Sequence, residues 1–104
     1  MIALLIGLAA AAIFATVFFA VISYPAIMEW FHNPNIEALA TSSADEVAYT
    51  LKERLSTGDY EVVQGVFNQR TNVAHKHAMR KLGGSEIDAG LRAAHGNKSL
   101  AVYR

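Results

Sequence analysis

The first 28 residues contain no charged side chain, and this stretch constrains the chain more than any other feature. An apolar run of about 18 residues or more is typical of a transmembrane helix. At a helical rise of about 1.5 Å per residue, Ile2 to Tyr24 would span about 34 Å, more than the roughly 30 Å hydrocarbon core of a bilayer. The sequence therefore predicts a single N-terminal transmembrane helix over residues 1–31, including its interfacial end.

Small residues recur at every fourth position of this segment, at Ala3, Gly7, Ala11 and Ala15. On a helix this spacing forms one nearly continuous stripe. Helices in lipid associate by close backbone approach, which such a stripe permits. We therefore predict a helix-packing surface for other transmembrane subunits or for copies of the same chain. The alternative is that the stripe reflects only the ordinary alanine content of a span.

Aromatic residues mark the predicted end of the span. Tyr24, Trp30 and His32 are assigned to the membrane interface, because Tyr and Trp favour the headgroup level of a bilayer. Pro25 lacks a backbone donor and is expected to kink or end the helix. All nine Lys and Arg residues follow the span, which favours a cytoplasmic C-terminal domain. The prediction is a single-pass protein in contact with membrane lipid.

The rest of the chain is interpreted as a linker, residues 32–42, and a small α+β domain, residues 43–104. An amphipathic helix is predicted over residues 43–57, where Ser43 and Glu46 fit a capping box. Its apolar residues follow helical spacing and are Ala44, Val47, Ala48, Leu51 and Leu55. We expect this helix to pack within its own domain or along the membrane.

Two or three short strands and a second helix complete the predicted domain. Residues 60–67 and 99–103 are rich in β-branched and aromatic side chains and are predicted strands. Ser85 is expected to cap the second helix, which ends at His95-Gly96. Residues 72–82 fit a helix or a strand. We favour the strand, paired with 60–67, because a third strand makes a better sheet.

The charged residues are distributed asymmetrically, although the formal net charge is zero. Seven acids lie between Glu29 and Glu61, whereas seven bases lie beyond Val62. A basic surface is predicted from Arg70, Lys76, Arg80 and Lys81. It is expected to face the acidic helix, with phospholipid headgroups as the alternative. Nucleic acid is a poor match, because the bases are few and no aromatic residue is interleaved with them.

The sequence contains no strong signature of a metal, cofactor or catalytic site. It has no cysteine, which excludes thiolate chemistry and disulfides. His75 and His77 would share one face of a strand, but zinc sites normally need three or four ligands. His32 is a lone histidine, which specifies too little for haem or pigment ligation. We therefore predict a protein that is not an enzyme and that holds no metal or cofactor.

These features together predict a non-catalytic, single-span accessory or structural subunit of a larger membrane complex. The transmembrane helix and the C-terminal domain would both dock against neighbouring subunits. A structural membrane protein of a virion or pilus-like filament is the alternative, with the basic region facing lipid, nucleic acid or a coat. A small sensor whose α+β domain binds a ligand is a third class.

Overall fold

The computed structural model of the chain describes residues 16–71 and 73–103. Within these ranges three short helices accompany a five-stranded sheet. In chain order the elements are β1 (Thr16–Ile22), α1 (Tyr24–Phe31), α2 (Pro34–Ala40), β2 (Glu46–Arg54), β3 (Tyr60–Asn68), β4 (Val73–Ile87), α3 (Ala89–His95) and β5 (Leu100–Tyr103). The strands lie in the order β1-β4-β3-β2-β5. β1 runs parallel to β4, and the other neighbouring strands are antiparallel.

An antiparallel meander of β2, β3 and β4 forms the centre of the sheet. The turn between β2 and β3 contains Gly58 with a φ of +92°, a conformation that glycine adopts without the steric cost of a Cβ. Between β3 and β4, the Asn68 side-chain oxygen accepts hydrogen bonds from the N–H groups of Arg70 and Thr71, both at 3.0 Å. These two tight connections fix the register of the three strands.

Each face of the sheet carries its own apolar cluster. Successive strand residues point to opposite faces, so Ala48 joins the cluster under the helices and Val47 joins the cluster on the other face. The helices contribute Ile27, Phe31, Ile36 and Leu91 to the first cluster. Complete burial of a side chain such as Leu91 contributes about 1.5–3 kcal/mol. Packing, more than intrinsic helix propensity, therefore holds these short helices in place.

Tyr49 is central to the second cluster. Its ring lies over Gly65, its partner across the β2–β3 ladder, and packs edge-on against Phe67 with 5.4 Å between ring centroids. A Cβ at Gly65 would lie 2.8 Å from the Ala78 carbonyl oxygen, so a larger residue does not fit. The register with β4 shifts between Gly65 and Phe67, as in a β-bulge. The Tyr49 hydroxyl is buried and has no hydrogen-bond partner in the described part of the chain.

A side chain caps the start of each described helix. The Ser23 hydroxyl accepts a hydrogen bond from the Ala26 N–H at 3.3 Å, and Asn33 and Asp88 cap α2 and α3 in the same way. Pro25 lies in the first turn of α1, where its missing N–H costs nothing. The expectation that Pro25 kinks or ends a long helix is therefore wrong, because it belongs to the start of a short one.

The predicted fold class, with a transmembrane helix over residues 1–31, is wrong. Residues 16–22 form a strand and residues 24–31 a helix of only eight residues. β-branched and aromatic side chains dominate 16–22 and favour an extended chain, and the predicted linker contains α2. In the described ranges no helix is both long and apolar enough to cross a membrane. The predictions of a single-pass topology and of a cytoplasmic C-terminal domain depended on that helix and are wrong as well.

The predicted amphipathic helix over residues 43–57 is also wrong, because these residues include β2. Alternate residues of β2 enter the two apolar clusters, so Ala48 and Val47 are both buried, although on opposite faces. Two interleaved strand patterns therefore imitated helical spacing. The Ser43 hydroxyl accepts the Asp45 N–H at 3.2 Å within a turn and does not cap a helix.

The C-terminal half agrees better with the sequence. The strands predicted at residues 60–67 and 99–103 are confirmed as β3 and β5. The strand interpretation of residues 72–82, paired with β3, is confirmed by β4. The second helix is confirmed as α3, but it begins at Ala89 instead of near Ser85, because β4 continues through that residue.

Candidate functional site

The most exposed apolar surface in the described ranges lies on the edge strand β1. Four of its large apolar side chains are exposed, and the Phe18 side chain is 80% exposed. The four residues are Val17, Phe18, Phe19 and Val21. One edge of β1 pairs with β4, and no described strand pairs with the other edge. An uncharged edge strand with exposed apolar side chains is a site where another chain pairs readily.

Two glycines of β4 allow β1 to dock closely. A Cβ at Gly83 would lie 3.0 Å from the Phe18 ring, and one at Gly84 would lie 2.8 Å from the Ile22 side chain. The Ser85 hydroxyl also donates a hydrogen bond to the Ala20 carbonyl oxygen at 3.0 Å. Close packing and the parallel ladder therefore hold β1 in a defined orientation.

A shallow cavity of about 260 Å³ extends the apolar surface beyond β1. Phe18 and Phe19 line one side, and Leu55 and Tyr60 line the β2–β3 end of the sheet. The Leu55 side chain is itself exposed. The exposed apolar surface thus reaches across three strands toward the β2–β3 turn, where Asp59 and Glu61 also line the cavity.

Arg80 forms a polar cluster between β4 and α1. Its Nε donates a hydrogen bond to the Gln64 side-chain oxygen at 2.8 Å, and its Nη2 donates to the Ala26 carbonyl oxygen at 3.3 Å. Gln64 is fully buried, and its amide donates to the Ile27 carbonyl oxygen at 2.6 Å. The Arg80 guanidinium carbon lies 5.3 Å from the centre of the Trp30 ring. Burial lowers the pKa of Arg80, and the nearby Glu29 carboxylate opposes that effect.

A second polar cluster is buried between β2, β5 and the end of α3. The Thr50 hydroxyl lies 2.8 Å from His95 Nε2 and 2.7 Å from the Tyr103 hydroxyl. His95 Nδ1 lies 3.2 Å from the Lys98 carbonyl oxygen, which can only accept a hydrogen bond, so Nδ1 carries the proton. In the neutral ring Nε2 then accepts from Thr50, and Tyr103 donates to Thr50. One consistent chain of hydrogen bonds results.

Burial keeps the His95 ring neutral. It lowers the pKa of His95, with a smaller contribution from the Lys52 charge, whereas backbone hydrogen bonds at Lys98 and Ser99 oppose the shift. Burial likewise raises the pKa of Tyr103. His95 lies in the last turn of α3, where the helix dipole by itself favours a proton on the ring. Desolvation overrides that effect, because the ring is almost completely inside the protein.

The Thr50–His95 pair has the spacing of a nucleophile and its general base. Thr50 is completely buried, however, and its oxygen is already bonded on two sides. A substrate therefore has no approach to that oxygen without displacement of the strands around it. The cluster is arranged to bind three elements together.

Glu46 is the centre of a third polar cluster, beside the groove between α2 and β2. Its two carboxylate oxygens accept hydrogen bonds from the Asn68 amide at 2.9 Å and from His75 Nε2 at 2.6 Å. His75 therefore meets a carboxylate of β2. Among the side chains that the structure describes, no group of three metal-ligating residues comes together.

The predicted packing stripe of Ala3, Gly7, Ala11 and Ala15 lies outside the described residues.

The three residues that the sequence grouped as a membrane interface have different surroundings in the structure. The Tyr24 N–H donates to the Asp88 carboxylate at 2.9 Å, which ties the start of α1 to α3. Trp30 packs against Phe31 and Arg80, and exposed His32 lies 3.2 Å from a Glu37 carboxylate oxygen.

The predicted basic surface is likewise divided. Arg70 pairs with Asp45 at 3.3 Å at the β3–β4 turn, whereas Arg80 is half-buried against Trp30. Lys81 is half-buried on β4, one residue further on and therefore on the opposite face from Arg80. Lys76 also lies on β4, and the position of its side chain is outside what the structure describes.

Sequence reasoning missed Thr50, Gln64 and Tyr103, which are the hydrogen-bonding partners that organise two of the polar clusters. The period of two in residues 46–52 groups Thr50 with Glu46 and Lys52 on the more polar face of the strand, so the pattern gave no sign that its hydroxyl is buried. No signal pointed to Gln64, because its partners come from distant parts of the chain. In comparisons with known proteins, no family model, curated protein or solved structure matches this chain.

Proposed function

We propose that this protein is a non-catalytic structural subunit that assembles with a second copy of itself through β1. The observation that carries the proposal is the uncharged edge strand with exposed apolar side chains, Phe18 above all. Edge strands usually prevent pairing by charged residues, proline, bulges or short length. β1 is seven residues long and contains neither a charge nor a proline.

A second copy is favoured as the partner because β1 is complementary to itself. In an antiparallel pair with its two-fold axis at Phe19, Val17 lies opposite Val21 of the other copy, and Phe18 lies opposite Ala20. No like charges meet in this arrangement. The formal net charge of zero also leaves no overall repulsion between copies at pH 7.

The ladder to β4 reduces the cost of this association. Binding is weakened by the entropy of ordering flexible segments. β1 is already fixed by its pairing with β4 and by the close contacts at Gly83 and Gly84. Burial of its exposed apolar surface, at about 25 cal/mol per Å², then favours the pair directly. The Thr50 cluster supports the non-catalytic part of the proposal, because its oxygen is inaccessible.

Sedimentation equilibrium of the full chain tests the proposal with a matched pair of variants. Val21 on β1 and Val102 on β5 are the same residue type, are both 41% exposed, and lie on opposite edge strands. We expect the wild-type chain and Val102→Lys to form dimers at micromolar concentration, and Val21→Lys to be monomeric. Circular dichroism establishes that both variants are folded. A monomeric wild type, or equal dissociation of the two variants, contradicts the proposal.

A further inference from the structure

The Arg80 cluster has the features of a site for an anion. We propose that the cavity between α1 and β4 binds a small carboxylate with an apolar body, with Arg80 and Trp30 as the residues that recognise it. This inference is argued from Arg80 and Trp30 and not from the assembly through β1, although Phe19 of β1 also lines the cavity.

The positive charge of Arg80 has no ion-pair partner among the acidic side chains of the protein. The guanidinium has five N–H groups, and two of them donate to Gln64 and Ala26, which leaves three. All nine acidic side chains of the protein lie in the described ranges, and none of them is within ion-pair distance of Arg80. A half-buried cation without a paired anion is costly, and a bound carboxylate removes that cost.

The Arg80 guanidinium is also held in one orientation by its neighbours. Gln64 is fully buried and held by the Ile27 carbonyl oxygen, and it fixes Arg80 Nε in turn. The Trp30 ring stacks against the same group at 5.3 Å. A guanidinium held in one orientation loses little entropy when it binds a planar carboxylate.

The cavity walls indicate the rest of the ligand. The cavity has a volume of about 580 Å³, within the usual range for small-molecule sites. Phe19, Ala26 and Trp30 form its apolar side, which suits an aromatic ring or a short alkyl chain, and His32 and Asn33 line it as well. Glu29 also lines it and repels negative charge, so a singly charged carboxylate is favoured over a dianionic phosphate.

Trp30 is the single tryptophan of the chain, so its fluorescence reports directly on this cavity. We would titrate the full chain with sodium benzoate, excite at wavelengths selective for tryptophan, and use benzyl alcohol as the neutral analogue and inorganic phosphate as the dianion. The expected result is a saturable change with benzoate that neither of the other two probes reproduces. An equal response to benzyl alcohol, or saturation by phosphate at the same concentration, overturns the proposal.

Variants separate this site from general anion binding. Arg80→Met is expected to weaken benzoate binding by about tenfold or more, the effect of a lost charge-assisted hydrogen bond. Arg70→Met, which removes an exposed arginine paired with Asp45, is expected to leave it unchanged. Because Arg80 also supports the fold, the exposed Glu29→Gln is the second test, and it is expected to tighten binding several-fold. Unchanged affinity in Glu29→Gln together with equal affinities of the two arginine variants contradicts the assignment.

Discussion

Thr50→Val tests whether the buried hydroxyl of β2 holds three elements of the fold together. Valine has nearly the same shape as threonine, so the substitution removes the hydroxyl and leaves the packing volume almost unchanged. His95 Nε2 loses its donor, and the Tyr103 hydroxyl loses its acceptor. The perturbation is therefore confined to the hydrogen-bonded chain that links β2, α3 and β5.

The expected loss of stability follows from the burial of His95 and Tyr103, the two groups that lose their hydrogen-bond partner. His95 is only 4% exposed, so its ring nitrogen stays unsatisfied at a cost of about 1–3 kcal/mol. Tyr103 is half-buried and can rotate toward water, so its loss is nearer to the net value of one hydrogen bond, about 1 kcal/mol. We expect a total loss of about 2–4 kcal/mol, a large fraction of the 5–15 kcal/mol typical of a domain.

Urea denaturation followed by circular dichroism measures this loss, with Thr50→Ser as the control. Serine keeps the hydroxyl and removes one buried methyl group, which costs about 1 kcal/mol. The valine variant should therefore be the less stable of the two, with a Tm lower than the wild type by about 10 °C or more. Equal stability of Thr50→Val and the wild type, or a serine variant that is less stable than the valine variant, refutes the reasoning.

Two further predictions concern buried groups of the sheet. Burial lowers the pKa of His95 in the folded protein, whereas in the unfolded chain the ring keeps its ordinary pKa of about 6.5. Below pH 6.5 the unfolded chain therefore binds more protons than the folded protein does. The contribution of His95 to stability should be complete above that pH and fall as the pH decreases through it. Denaturation curves between pH 8 and pH 5 should show this slope in the wild type and a smaller one in His95→Gln, and equal slopes would contradict the assignment. Tyr49→Phe should leave stability unchanged or raise it by about 1 kcal/mol, because it removes a buried hydroxyl with no partner in the described ranges. A loss above about 1 kcal/mol in thermal denaturation would show that this hydroxyl is satisfied.

Local sequence signals predicted the C-terminal strands and not the N-terminal ones, for a physical reason. β3 combines β-branched residues with a polar turn at its end, so its propensity and its surroundings agree. In residues 16–22 the same propensity was present, but the longer uncharged stretch suggested a helix spanning a membrane. The contacts that hold residues 16–22 in the sheet are made with Gly83 and Gly84, about 65 residues away in the chain. A local sequence pattern cannot reveal contacts at that distance.

The polar clusters were beyond sequence reasoning for a related reason. Arg80 was grouped with Arg70, Lys76 and Lys81, because the composition of residues 65–84 suggested an exposed basic surface. Its half-buried position depends on Gln64 from β3 and on carbonyl oxygens of α1. Which charges are exposed depends on tertiary packing, whereas the sequence indicates only their number.

Cysteine cross-linking along β1 tests the central claim, assembly through this strand, most directly. The chain has no cysteine, so each single variant from Val17→Cys to Val21→Cys carries one thiol. In the antiparallel pair the two copies of Phe19 face each other across the two-fold axis, at a separation that permits a disulfide. We predict oxidative cross-linking that is strongest at Phe19→Cys and absent from Val102→Cys on β5. Cross-linking that is equal at both edges of the sheet, or absent throughout β1, would contradict it.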